Sequence, residues 1–237
     1  MAKKVFLFLV LAFLFIESTF AQTDNSKENY GTWTTFGINT KFHKWEFGTD
    51  TELRTVYFVR LINRWSLGVS ADYNLLKQLK VGLGYQFMNE LDYNPDYSKY
   101  YFFRNRFNAT ATGKIKFLNF NISLRERLQL TQKEQRTMLD GTVDTYSINP
   151  ALVWRNRLLL AYNIPHCKIT PSVSVESFYK LNDPNVNSFD SFRYSLSFDY
   201  KINKHNSIEL YGVINSQLNS DDSFGKYILG SGYTYSF

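Results

Sequence analysis

The chain has one cysteine, Cys167, and three histidines, His43, His166 and His205, in 237 residues. A single cysteine excludes an internal disulfide framework. The histidines and cysteine show no metal-ligand spacing, and neither a glycine-rich phosphate loop nor a G-x-S-x-G nucleophile turn is present. Long apolar runs are missing too. After Ile16 no stretch approaches the roughly 20 apolar residues a membrane-crossing helix needs. Any membrane crossing in the rest of the chain therefore has to be made by strands.

The one apolar run, Val5–Ile16, follows two lysines in Met1–Lys4 and precedes small residues at Thr19 and Ala21. That order reads as a signal peptide over residues 1–21, leaving residues 22–237 as one exported domain. No cysteine follows the cleavage site, which argues against a lipoprotein. The net charge of +6 does not point to nucleic acid, because the expected export removes that partner.

What is abundant is aromatic: 21 Phe, 17 Tyr and 4 Trp. Polar and apolar residues alternate with period 2 in eleven segments, from Trp33–Phe42 to Lys226–Phe237. In Trp65–Tyr73 the odd positions are Trp, Leu, Val, Ala and Tyr, and the even ones Ser, Gly, Ser and Asp. A helix would need apolar residues three and four apart, which is not sustained. Dyads about ten residues long, with mean hydropathy below zero, predict an all-β, up-and-down antiparallel transmembrane β-barrel. A soluble β-sandwich is the alternative, but it needs neither an aromatic on every strand nor the terminal Phe237. Short connections (His43-Lys44, Gly113-Lys114, Ile202–His205) alternate with longer ones (Thr55–Arg64, Met88–Lys99), as in outer-membrane barrels. Barrels of this kind have even strand counts. The expectation is therefore about twelve strands, with a weak extra one near Asp24–Gly31, or ten. Aromatics near strand ends, among them Trp33, Trp45, Tyr73, Tyr100 and Tyr162, are expected to form interfacial girdles.

Three segments carry paired arginines two residues apart: Arg104 and Arg106, Arg125 and Arg127, Arg155 and Arg157. Two apart on a strand means one face. Phe103, Phe107, Leu124 and Leu128 hold the opposite parity, so the arginines are expected to face the lumen, with Arg193 joining them. Glu46, Asp50, Glu52, Glu176, Asp199 and Glu209 have matching parity and are the expected acidic partners. Such a set either knits the walls of a packed barrel or lines a passage for anions. Glu126 is anomalous, since its parity points it outward between two leucines; a position above the membrane or a bulge would explain it.

Gly31-Thr-Trp33, Trp45 with Glu52-Leu-Arg54, Leu124–Arg127, Trp154–Leu158, Ser174–Tyr179 and Arg193-Tyr-Ser-Leu together resemble the family of exported barrels known as domain of unknown function 2490. The resemblance implies location in the outer membrane of a Gram-negative cell and brings no reaction with it. The reading is a non-enzymatic, porin-like barrel, a narrow Arg-lined channel or a structural component, with no catalytic residue, cofactor or metal. Its expected partners are outer-membrane lipid and lipopolysaccharide, and the barrel-assembly machinery through the C-terminal strand. A lipid-acting enzyme and a loop-mediated adhesion or receptor module are the alternatives.

Overall fold

The computed structural model describes residues 30–93, 99–134, 136–137, 143–144, 148–184, 187–218 and 226–237. The expected leader and residues 24–29 of the weak extra segment lie outside them. Every regular element among the described residues is a strand. These are β1 (Tyr30–Phe42), β2 (Trp45–Val56), β3 (Leu61–Asn74), β4 (Leu79–Tyr93), β5 (Lys99–Phe117), β6 (Phe120–Lys133), β7 (Arg136–Thr137), β8 (Val143–Asp144), β9 (Ala151–Tyr162), β10 (Ile169–Lys180), β11 (Phe189–Lys201), β12 (Asn206–Gln217) and β13 (Tyr227–Ser236). β7 and β8 pair with each other as a ribbon between β6 and β9. All the others close into one barrel in the order β1-β13-β12-β11-β10-β9-β6-β5-β4-β3-β2.

The wall thus has eleven strands among the described residues, one for each period-2 segment, against the expected twelve or so. Tyr30 and Gly31 are part of β1 rather than of a further strand. An odd count has a geometric consequence. In an up-and-down order the first and last strands then run the same way, so the closing pair must be parallel. β1 and β13 pair in parallel from Tyr30↔Tyr227 to Asn39↔Ser236, while every other wall ladder is antiparallel.

The alternation sorts side chains as the period predicts. On β3, Trp65, Leu67 and Val69 are exposed on the outer face, whereas Arg64 and Ser66 are buried inside. Phe107, Leu83, Leu158, Leu196 and Leu210 continue the apolar outer belt around the wall. At the short-turn end Trp45 packs on Tyr73 and Phe120 on Tyr162, with ring centroids 5.0 and 4.9 Å apart. Two aromatics expected in the girdles belong to the lumen instead. Trp33 is the cross-strand partner of Arg54, and the Tyr100 ring packs at a tilt against Phe102, which is buried under Arg104.

The connections differ from expectation in two places. β5 does not turn at Gly113-Lys114. It runs on to Phe117, because Ile115 and Phe117 continue its outward parity, and the reversal falls at Leu118-Asn119, where Leu118 has a positive φ of 52°. The expected long loop over Thr55–Arg64 shrinks to residues 57–60. Tyr57 and Phe58 both take positive φ there, and the Phe58 N–H donates to the Tyr30 carbonyl at 3.2 Å. Elsewhere on that rim, amide side chains extend the ladder. Asn149 pairs with both backbone groups of Lys133, and Asn182 joins Leu152 to Pro150.

Candidate functional site

β5, β6 and β9 are adjacent in the wall, and this places the three arginine pairs side by side. Their levels differ. Arg125 lies opposite Arg157, and Arg127 opposite Arg155, so β6 and β9 carry a square of four guanidinium groups. The β5 pair sits nearer the long-loop rim, because Arg106 is in register with Thr131 and not with Arg127. Arg106 is held there by the Thr131 hydroxyl at 3.2 Å and the Gln86 amide oxygen at 3.4 Å. Arg104 pairs with Glu90 at 3.0 Å.

One carboxylate serves the square. Glu176, on β10 and 3% exposed, accepts from Arg155 through both of its oxygens at 3.0 Å and from Arg125 at 2.5 Å. Arg193 approaches it at 3.8 Å from β11. The Gln129 amide oxygen accepts from Arg155 at 2.8 Å and fixes the plane of that guanidinium. Arg127 and Arg157 make no ion pair among the described residues, and the Nε of each is buried without an acceptor. A square of four cations with one carboxylate paired to two of them is an unbalanced arrangement in a region where charges are poorly screened.

Aromatic rings carry the cluster across the lumen. The Arg193 guanidinium lies between Phe178 at 5.0 Å and Trp33 at 4.9 Å, and Arg54 stacks on the same Trp33 ring at 3.6 Å. Arg54 and Arg64 in turn share Glu52, each at 2.7 Å. A continuous chain of contacts therefore runs from β2 through Trp33 to β11 and β10. It defines a constriction lined by guanidinium groups and two rings.

The other expected acidic partners make no ion pair with an arginine among the described residues, although Asp50 is within electrostatic reach of Arg127 and Glu209 of Arg157. Glu46 belongs to a separate network at the short-turn end, with Lys41 at 3.0 Å and Lys80 at 3.1 Å, and Lys80 also binds Asp72 at 3.0 Å. Asp50 lies over Gly68, a position that leaves no room for a side chain at residue 68. Asp199 and Glu209 face each other across β11 and β12. None of these three forms an ion pair with arginine among the described residues, because same-face parity says nothing about distance along or across the barrel. Glu176 and Glu52 are the ones that do.

Arg54, Arg64, Glu90, Trp33, Phe178 and Gln129 take part in the site although the sequence pattern did not single them out. Arg54 and Arg64 shared parity with Glu52 and Ser66, and that signal could have found them. Phe178 shared parity with Glu176 in the same way, whereas nothing in the sequence marks Trp33 as luminal. The histidines are far from this cluster. His43 and His166 occupy short turns, and His205 contacts the Ser236 carbonyl at 2.7 Å near the C-terminus. Among the described residues no group of His, Cys, Asp and Glu could hold a metal ion.

An all-β wall closed on itself, apolar outside and lined with charge inside, defines a transmembrane β-barrel of the outer-membrane type. The chain belongs to the family described as protein of unknown function, DUF2490, which it matches over residues 30–224. Its fold is similar to that of the β domain of the Bordetella autotransporter BrkA. That likeness has a TM-score of 0.52 at 11% identity and covers 84% of this chain and 86% of that one. It is also similar to the NanC porin, with a TM-score of 0.51 at 14% identity over 86% of this chain and 93% of that one. No functionally curated protein matches the sequence.

Proposed function

We propose that the chain is a non-enzymatic, integral outer-membrane barrel whose constricted lumen passes or holds small anions. The observation that carries this reading is the unbalanced arginine square, in which Arg127 and Arg157 have no carboxylate within ion-pair distance among the described residues while Arg125 and Arg155 share Glu176. A packed barrel stabilised only by internal ion pairs would be expected to match its charges. An excess of fixed positive charge at a narrow point attracts anions and repels cations. Guanidinium forks also suit carboxylate and phosphate oxygens in particular. The apolar belt faces outer-membrane lipid, with lipopolysaccharide around the long-loop rim. The aromatic-ended β13 is the segment offered to the assembly machinery.

A second reading, a closed structural barrel, is favoured by the Trp33–Arg193 crossing of the lumen. Reconstitution in planar bilayers separates the two. Stepwise conductance is expected, with a reversal potential on the anion side in a salt gradient. The Arg127→Gln, Arg157→Gln double variant is expected to lose most of that preference while inserting normally. Silent bilayers containing folded, inserted protein would end the channel reading. Recovery of the protein in a fraction other than the outer membrane would end the reading of its location.

A further inference from the structure

The outer wall carries one feature that a lipid-facing surface does not explain. Glu126 sits in the middle of β6 with outward parity, in an unbroken register with Ala111 on β5 and Asn156 on β9. It is neither above the wall nor at a bulge. Among the described residues, no other acidic or basic side chain takes an outward position in the middle of a wall strand. The indole N–H of Trp154, from its own chain, donates to one of its oxygens at 2.8 Å.

Glu126 is also part of a row. Reading across the ladder at that level, the outward residues are Ala111, Glu126, Asn156 and Ser177 on four successive strands. The Asn156 amide reaches Ser177 only at 3.4 Å, so its donors are weakly engaged. Beside the row, β5 presents Ala109, Ala111 and Gly113 outward, three consecutive small residues, a run of Ala and Gly that no other wall strand shows on its outer face among the described residues. The result is a shallow strip of small and polar groups set into the apolar belt. In a membrane, small residues let two backbones approach, and polar side chains hydrogen-bond across the contact. A carboxyl facing hydrocarbon is costly, and it is tolerated when a partner covers it.

We propose that this strip is a contact face between two copies of the chain, with Glu126 of each copy accepting from the partner's Asn156. The commitment to a second copy rests on self-complementarity. A two-fold contact brings one patch against itself, so that patch must hold donors and acceptors together. Here the acceptor Glu126 and the donor Asn156 are neighbours at one level of the wall. A two-fold axis along the membrane normal, passing between them, sets each against the other's complement. The small residues of β5 lie one strand out from that axis, where they leave room for the walls to close.

The inference rests on the reading of the chain as a membrane barrel, and the test keeps the two apart. In a Cys167→Ser background, chains carrying Glu126→Cys mixed with chains carrying Asn156→Cys are expected to form an intermolecular disulfide in lipid vesicles, because the axis sets those two positions opposite each other, whereas Phe36→Cys, on the far wall, does not. Glu126→Leu and Asn156→Leu are each expected to weaken the dimer at least tenfold, as counted by single-molecule photobleaching in vesicles. Both variants should keep the heat-modifiable gel mobility of a folded barrel. A wild-type protein that inserts but stays monomeric, or a dimer unmoved by either substitution, overturns the contact face and leaves the barrel reading intact. A protein that is folded and monomeric in plain buffer overturns the barrel reading itself.

Discussion

Two of the ion networks in the lumen differ in balance and in burial. At the short-turn end Lys41 and Lys80 meet Glu46 and Asp72, two cations with two anions, and side chains there are 23–72% exposed. At the constriction Arg125, Arg155 and Arg193 converge on Glu176, whose side chain is 4% exposed, with Arg127 and Arg157 left over. The first network satisfies itself and sits in wet surroundings, where an ion pair contributes little. The second is dry, depends on a single carboxylate and has guanidinium groups to spare. A balanced cluster knits walls together. One with a surplus is the place where a ligand of opposite charge can complete the set.

Substitutions can break or sharpen this contrast. The largest effect is expected from Glu176→Ala, which strands three arginines in a buried site. The loss is about 3–5 kcal/mol, measured by urea unfolding in vesicles. Trp33→Ala removes the ring that Arg54 and Arg193 share. It should cost about 0.5–2 kcal/mol in cation–π attraction and raise conductance by widening the constriction. Glu46→Gln, in the balanced network, is expected to cost only about 0–1 kcal/mol, and less at high salt. Smallest of all is Arg157→Gln. Because no carboxylate is orphaned and like-charge repulsion is relieved, stability should stay within about 0.5 kcal/mol of the parent. A large loss from Arg157→Gln would show that the surplus is structural after all.

Much of the wall was legible from residue order. Each period-2 segment became a strand, and the Arg104–Arg106 pair could be assigned to the lumen because Phe103 and Phe107 left it no other face. The site was legible only in part. Trp33 was misassigned because β1 alternates weakly, with Thr32 and Thr34 on one side and Thr35 and Gly37 on the other. Its direction is fixed by pairing with Arg54, a contact made between strands. Gly113 looked like a turn although the alternation ran through it.

The order of residues by itself determined which side of the wall the charged side chains occupy, since a strand turns every second residue the same way and lipid rejects charge. Tertiary structure alone decided the register between strands, the parallel seam of β1 and β13, and the choice of Glu176 over Asp199 or Glu209 as the anion among the arginines. Those are distances across a closed surface. They depend on how far each strand slides past its neighbour, and no periodicity along a single strand encodes that shift.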